Sequence, residues 1–191
     1  GIEAARYEGD GAKLEWALRL DLMLHAYMFT LSGIPVIYSG DEIAQENDYS
    51  YHDDPLKAVD SRWLHRGNMN WASAELRQAL DAPEGQLFQG LRKLEAIRAA
   101  HRVFDSMADV WLVETKDEGV LGLWRYHQGE KLVALFNFSE TKKTIPIDEL
   151  GAYTDLLTGE EINKSAVTIP SGGFVWMLCD FAKEDGENEE V

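Results

Sequence analysis

The stretch Gly33-Ile34-Pro35-Val36-Ile37-Tyr38-Ser39-Gly40-Asp41-Glu42 decides how the rest of this 191-residue chain is read. Ile34 to Tyr38 is short, apolar and preceded by a glycine. That pattern predicts a strand buried on both faces, as in parallel sheets. Upstream, Leu14, Leu18, Leu22, His25 and Phe29 share one helix face, and Leu20, Met23, Leu24 and Met28 fill much of the remainder. A helix apolar nearly all round is expected to lie buried against a larger body. Ser32-Gly33 supplies its stop signal. A single strand flanked by helices cannot form a sheet, so its partners are expected upstream of Gly1 or in another chain. The part before Asp105 therefore reads as incomplete. The chain starts at Gly1 without a methionine and reads as a cut fragment, which leaves any signal peptide of the parent undetermined.

Working downstream, Gly40 to about Ala72 has no clear period and is rich in Asp, Asn, Tyr and His. A loop this long in a compact domain is usually functional or disordered. Tyr49, Tyr51, Trp63 and Trp71 within it argue for order. Asp81-Ala82-Pro83-Glu84 carries a capping residue and an early proline. It opens a helix with a stripe at Leu87, Leu91, Leu94 and Ile97, running to about Arg102. After Asp105 the period changes to two. Strands are predicted over 110–114, 120–127, 131–137, 143–147, 153–155, 166–169 and 173–180. Turn signals lie at Asp117-Glu118-Gly119, Gln128-Gly129-Glu130, Thr158-Gly159 and Ser171-Gly172-Gly173. About seven short strands at this spacing predict an antiparallel β-sandwich. The acidic tail Lys183 to Val191 is expected to be disordered.

Composition removes several function classes. Lys and Arg number 18 against 34 Asp and Glu, a formal net charge of −16. Nucleic acid requires a basic footprint, which is absent, and an anionic membrane surface is disfavoured for the same reason. Glu15, Arg19, Asp21 and His25 interrupt the apolar stretch Leu14 to Tyr38, and Gly33 and Pro35 break it, so it is not a membrane span. The one cysteine, Cys179, sits in an apolar run and cannot form an internal disulfide. A reducing, cytoplasmic location is the expectation. No cofactor is expected: there is no glycine-rich phosphate loop and no zinc-type histidine spacing. Asn47, Asp48, His52, Asp53 and Asp54 do not match the EF-hand loop, so no metal is expected there and a solvated loop is preferred.

The segment Gly33 to Glu42 resembles the G-x-P-x-I-Y-x-G-x-E segment of the α-amylase superfamily, which is that family's eighth barrel strand and the start of the following loop. Asp60-Ser61-Arg62-Trp63-Leu64-His65-Arg66 looks like the D-D-S-R-W-x-H-R-P segment of amylosucrases and sucrose hydrolases. Gln86 to Arg92 and Gly1 to Tyr7 resemble neighbouring stretches of that subfamily. Leu135-Phe136-Asn137-Phe138-Ser139 recurs in many such C-terminal domains. Two positions depart from the pattern: Gly67 stands in place of proline, and Val59 in place of the first paired aspartate.

The resemblance implies a fold of α/β plus all-β class. Residues 1–105 would be the last part of a (β/α)8 barrel, with one core strand and flanking helices. Residues 106–182 would be a C-terminal antiparallel β-sandwich, and 183–191 the tail. Barrel active sites lie at the C-terminal ends of the strands, which implies a pocket-rim or supporting place for Tyr38, Asp41 and Glu42. Family nucleophile, acid and third carboxylate precede Gly1, so no catalytic residue is assigned in this segment. Arg62 is the implied substrate-binding residue, since a guanidinium fork can hold a carboxylate and donate to sugar hydroxyls together. Asp60 could orient it or simply cap a turn, and a surface role for Arg62 is the alternative.

Three functions follow as expectations. The parent would be a retaining α-glucoside-active enzyme, acting on sucrose or another α-glucoside or α-glucan, and this fragment alone would be inactive. Alternatively, the sandwich is a carbohydrate-binding module, or it only shields the barrel end. Trp111, Trp124 and Trp176 are predicted to lie in the sandwich core. Exposure of Trp111 and Trp124 would favour sugar binding; burial would favour packing. If the fragment is autonomous, Leu14 to Tyr38 packs on its own helices or drives self-association.

Overall fold

A computed structural model describes residues 1–147, 152–162 and 165–180. The tail at 183–191 lies outside these described residues. The helices are α1 (Ile2–Glu8), α2 (Gly11–Thr30), α3 (Trp71–Glu75) and α4 (Pro83–Ala100). The strands are β1 (Asp109–Val113), β2 (Val120–His127), β3 (Glu130–Asn137), β4 (Lys143–Pro146), β5 (Tyr153–Asp155), β6 (Glu161–Ile162), β7 (Ala166–Ile169) and β8 (Phe174–Asp180). The chain divides into two compact units. The first is Gly1–Leu18 with Val36–Leu91; the second is Arg19–Pro35 with Arg92–Val191.

In the first unit, α1 ends at Gly9, whose φ of 67° is a left-handed stop that glycine adopts without strain. The long stretch after Gly40 is ordered as short 3-10 turns, Asp41–Ile43, Tyr49–Asp53 and Ser61–His65. Asp48 and Asp60 cap the second and third by accepting the N–H of Ser50 and of Arg62. Arg6 ties α1 to the rest of the unit, donating to Glu84 at 2.7 Å and to Glu46 at 3.0 Å.

The predicted strand over Ile34 to Tyr38 does not form among the described residues. A strand exists only as part of a ladder, and none of the described residues pairs with the segment. Ile34 is 89% exposed and Val36 77%. The helix before it is also less buried than its composition predicts. Met23, Ala26 and Phe29 are buried, whereas Leu24 is 45% exposed.

The second unit is built on a six-stranded antiparallel sheet in the order β1-β2-β3-β8-β5-β6. The pair β4-β7 forms a separate two-stranded sheet. Successive residues of β3 and β8 alternate between the faces of the large sheet. On one face Leu135, Val175, Met177 and Cys179 join Ile145 of β4 and Ile169 of β7 in one buried cluster. The sandwich layers are therefore unequal, six strands against two. On the opposite face Phe136 packs edge-on to Tyr27 of α2, with ring centroids 5.5 Å apart. Trp176 is fully buried there, its ring tilted 53° against that of Phe104, and its indole N–H donates to Thr30 Oγ1 at 3.0 Å.

The end of α2 shows how this unit handles polar groups. The last carbonyls of a helix lack internal partners. Here Arg125 donates to the carbonyl of Thr30 at 2.5 Å, and also to Val103 and Asp105 at 2.7 and 2.6 Å. Arg98 donates to the carbonyls of Phe29 and Gly33. Cations at a helix C-terminus also oppose its dipole. Arg125 is fully buried, and burial, with neighbouring Arg98, lowers its pKa to about 10, which keeps it charged at neutral pH. The motif Leu135 to Ser139 has a similar logic. Buried Asn137 donates to the carbonyls of Thr141, Ile169 and Pro170, and its oxygen accepts from Ser139, pinning two turns together.

Candidate functional site

Asp60 and Arg62 form a fork. Arg62 Nε lies 2.8 Å from Asp60 Oδ1, and a terminal guanidinium nitrogen lies 2.8 Å from Oδ2. The same carboxylate accepts the Arg62 N–H at 3.0 Å. These bonds hold the Asp60 carboxyl at about 2 and raise the Arg62 pKa further. The Arg62 side chain is 73% exposed. Among the described residues it hydrogen-bonds only to Asp60, so its outer edge faces solvent. Trp63 beside it lies under two cations, Lys57 at 5.1 Å and Arg66 at 5.8 Å from the ring centre.

Tyr38 to Glu42 form a tight turn. Gly40 has φ 105°, a conformation that side-chain-bearing residues avoid. Its N–H donates to Glu42 Oε2 at 2.8 Å, and its carbonyl accepts from Ile43 and Gln45. Glu42 thus holds the turn. The Asp41 N–H closes it on the Tyr38 carbonyl at 3.0 Å, leaving the Tyr38 ring 55% exposed.

None of these residues lines a polar cleft that lies in the first unit. That cleft, about 390 Å³, is walled by Arg6, Gln45, Asn47, Asp48, Asn68 and Asn70, among others. Several of its polar groups are already engaged. Gln45 bridges the Asn68 carbonyl and the Asn70 N–H, Asn47 donates to Glu3, and the His65 ring meets the Asn47 amide oxygen at 2.8 Å. Such amide-rich walls suit a neutral ligand with many hydroxyls, because each amide both donates and accepts.

Both departures from the resembling subfamily fall in this unit. A side chain at Gly67 would place its Cβ 2.7 Å from that of Asp48, so the loop needs a residue without one. Val59 is 89% exposed. Among the described residues no group of three His, Cys, Asp or Glu side chains could hold a metal ion, and no helix is long and apolar enough to cross a membrane.

In the second unit Trp176 is buried as predicted, but Trp111 is not, being 45% exposed. It lies on β1, the edge strand of the six-stranded sheet.

No family model matches the chain. Solved structures do. A maltogenic amylase from S. marinus is 21% identical with a TM-score of 0.59, over 85% of this chain and 20% of its own. An Anoxybacillus α-amylase is 22% identical with a TM-score of 0.61, over 86% of this chain and 32% of its own. An AmyP variant in complex with maltotriose is 18% identical with a TM-score of 0.64, over 85% of this chain and 35% of its own. The chain thus spans between 20% and 35% of the length of these three structures. At such identities the likeness is one of fold: over most of its length the chain is folded like part of an amylase.

Proposed function

We propose that this chain is the C-terminal part of a retaining α-glucoside-active enzyme of the α-amylase superfamily. In this reading residues 1–105 complete a (β/α)8 barrel and residues 106–182 form the β-sandwich behind it. Ile34 to Tyr38 is the last barrel strand, and its neighbours belong to the upstream part of the parent. The observation that carries the reading is the state of this segment: it is apolar, exposed at Ile34 and Val36, and without a strand partner among the described residues. An apolar strand stays exposed only when the sheet it belongs to is missing. The fold likeness to amylases supports the same conclusion.

Retaining hydrolysis uses two carboxyl groups about 5 Å apart around an oxocarbenium-like transition state. In this reading both lie upstream, so the 191-residue chain alone is inactive. Arg62, oriented by Asp60, contacts the substrate, and Tyr38, Asp41 and Glu42 support the pocket rim. The exposed guanidinium edge of Arg62 supports that role, since it has donors to spare. Amylosucrase-like transfer from sucrose is the finer form of the proposal, resting on the segment Asp60 to Arg66. Gly67 and Val59 count against it, and turnover of other α-glucosides or α-glucans is the broader form. The test is Arg62→Ala in the complete parent enzyme. Turnover is expected to fall by at least about a hundredfold with little change in unfolding midpoint. An unchanged rate removes Arg62 from the site, and sucrose turnover by the 191-residue chain itself overturns the assignment of the carboxylates.

A further inference from the structure

We infer that His65 is a second substrate-contacting residue beside Arg62, held by Glu3 and Asn47 in the tautomer that turns a bare ring nitrogen toward a substrate hydroxyl. The inference rests on the proposed reading that Arg62 meets the substrate. It adds to that site a residue of the opposite hydrogen-bonding polarity.

The proton inventory starts at Glu3 on α1. Its Oε2 accepts from the Asn47 side-chain amide at 3.0 Å and from the Tyr49 hydroxyl at 3.2 Å. A carboxylate accepts and does not donate, so the Asn47 amide nitrogen faces Glu3 and its oxygen faces away. That oxygen lies 2.8 Å from His65 Nδ1. An amide oxygen has no hydrogen to give, so Nδ1 carries the proton of this bond. In the neutral ring the two nitrogens share one hydrogen, which leaves the lone pair on Nε2. Among the described residues nothing pairs with Nε2, and His65 is exposed. The backbone fixes the same arrangement. The Asp48 N–H donates to the Leu64 carbonyl at 2.8 Å, tying the loop that carries Asn47 to the turn that carries His65.

That turn brings the acceptor beside Arg62. Ser61–His65 is a 3-10 helix, in which residues three apart lie over one another. Arg62 and His65 therefore rise from the same side of it. Arg62 can only donate, and Asp60 already takes its Nε and one terminal nitrogen. Nε2 of the neutral ring can only accept. A hydroxyl does both, so a vicinal diol can bridge a donor and an acceptor that stand side by side. The bland alternative is a surface histidine that merely ends the turn. Such a residue needs no fixed tautomer, and ordering an exposed side chain costs conformational freedom. Here Glu3 and Asn47 act in series to fix one ring nitrogen, the arrangement by which a working histidine has its free nitrogen chosen. Among the described residues His65 belongs to no group of three metal-ligating side chains, so Nε2 is read as a hydrogen-bond acceptor.

Two measurements test the inference. In the 191-residue chain with isotope-labelled histidine, kept alkaline so that imidazoles are neutral, NMR of the ring nitrogens should show His65 protonated on Nδ1 and bare on Nε2. Free histidine in water favours the opposite tautomer, so the readout discriminates. A His65 ring bare at Nδ1 overturns the inference. In the complete parent, His65→Asn keeps a donor toward Asn47 but lacks the distal acceptor, whereas His65→Gln places an amide oxygen near the position of Nε2. With sucrose and with maltoheptaose as substrates, His65→Asn should raise KM by about three- to tenfold, the worth of one neutral hydrogen bond. Its kcat should stay within about twofold, and His65→Gln should return KM to within about twofold of wild type. An unchanged KM in His65→Asn overturns the inference. So does a fall in kcat alone that both variants share, since that marks a purely structural ring. Arg62→Ala, measured alongside, separates the two failures. If it cripples turnover while His65→Asn is silent, the inference fails and the pocket reading stands. If neither substitution matters, the pocket reading fails and the inference with it.

Discussion

The two units of this chain differ in how they treat apolar surface. The β-unit buries Trp176, Phe136, Leu132, Leu135 and Met177 almost completely. It answers its buried polar groups as well, with Arg125 on three carbonyls and Asn137 on three more. The first unit leaves Leu56, Val36 and Trp71 between 74% and 88% exposed. It is held by polar ties such as Arg6 to Glu84 and by capped 3-10 turns rather than by a deep core. A domain with its own core and a segment that depends on neighbours have these contrasting signatures. The difference teaches where the chain is structurally self-sufficient.

The strongest way to break the contrast is at the core of the β-unit. Trp176→Ala removes a fully buried indole and leaves Thr30 Oγ1 without its donor, so unfolding free energy should fall by about 3–5 kcal/mol in urea titrations. A loss under about 1 kcal/mol would show that the β-unit is no better packed than the first. A smaller effect is expected where the account sees a missing neighbour. Val36→Asp should shift the stability of the 191-residue chain by less than about 0.5 kcal/mol, because the side chain already meets water. The same substitution in the complete parent should sharply lower its soluble yield, since there it would bury a charge. Equal tolerance in both proteins would sink the strand assignment.

The smallest effect concerns the Asp60–Arg62 fork. The folded carboxyl titrates at about 2, below its ordinary value of 3.8, because Arg62 donates to it. A depressed carboxyl contributes stability that is fully present above the unfolded value and is lost as pH falls through the folded one. Any contribution of this exposed pair is therefore present above about pH 4 and is lost as the pH falls from about 4 to about 2. An NMR titration of Asp60 should give the low midpoint, and Arg62→Ala should return it toward 3.8. A midpoint unmoved by that substitution would mean the fork does not persist in solution.

The β-strands were legible because alternation in β2, β3 and β8 coincides with pairing inside this chain. Their predicted bounds differ from the observed ones by a residue or less. Strand β6 was missed because two residues, Glu161 and Ile162, carry no period. Helix α1 was missed because Ile2 to Glu8 buries only Ala5 and so shows no stripe. The segment Ile34 to Tyr38 has the composition of a strand but not the partners, and composition alone cannot supply a ladder. Trp111 was misplaced in the core because alternation reports which face a residue takes, not whether a second layer covers that part of the face. At the candidate site the resemblance of Asp60 to Arg66 suggested Asp60 either as a partner of Arg62 or as a turn cap, and the carboxylate does both. The cleft of Gln45, Asn47, Asn68 and Asn70 was not legible, since it depends on two loops meeting.

The coding sequence immediately upstream of Gly1 tests the central claim most directly. The account predicts an open frame continuing upstream through seven further barrel strands, with an Asp and a Glu at strand ends to serve as nucleophile and acid. A start codon directly before Gly1 would contradict it, leaving Ile34 to Tyr38 without the sheet the account requires.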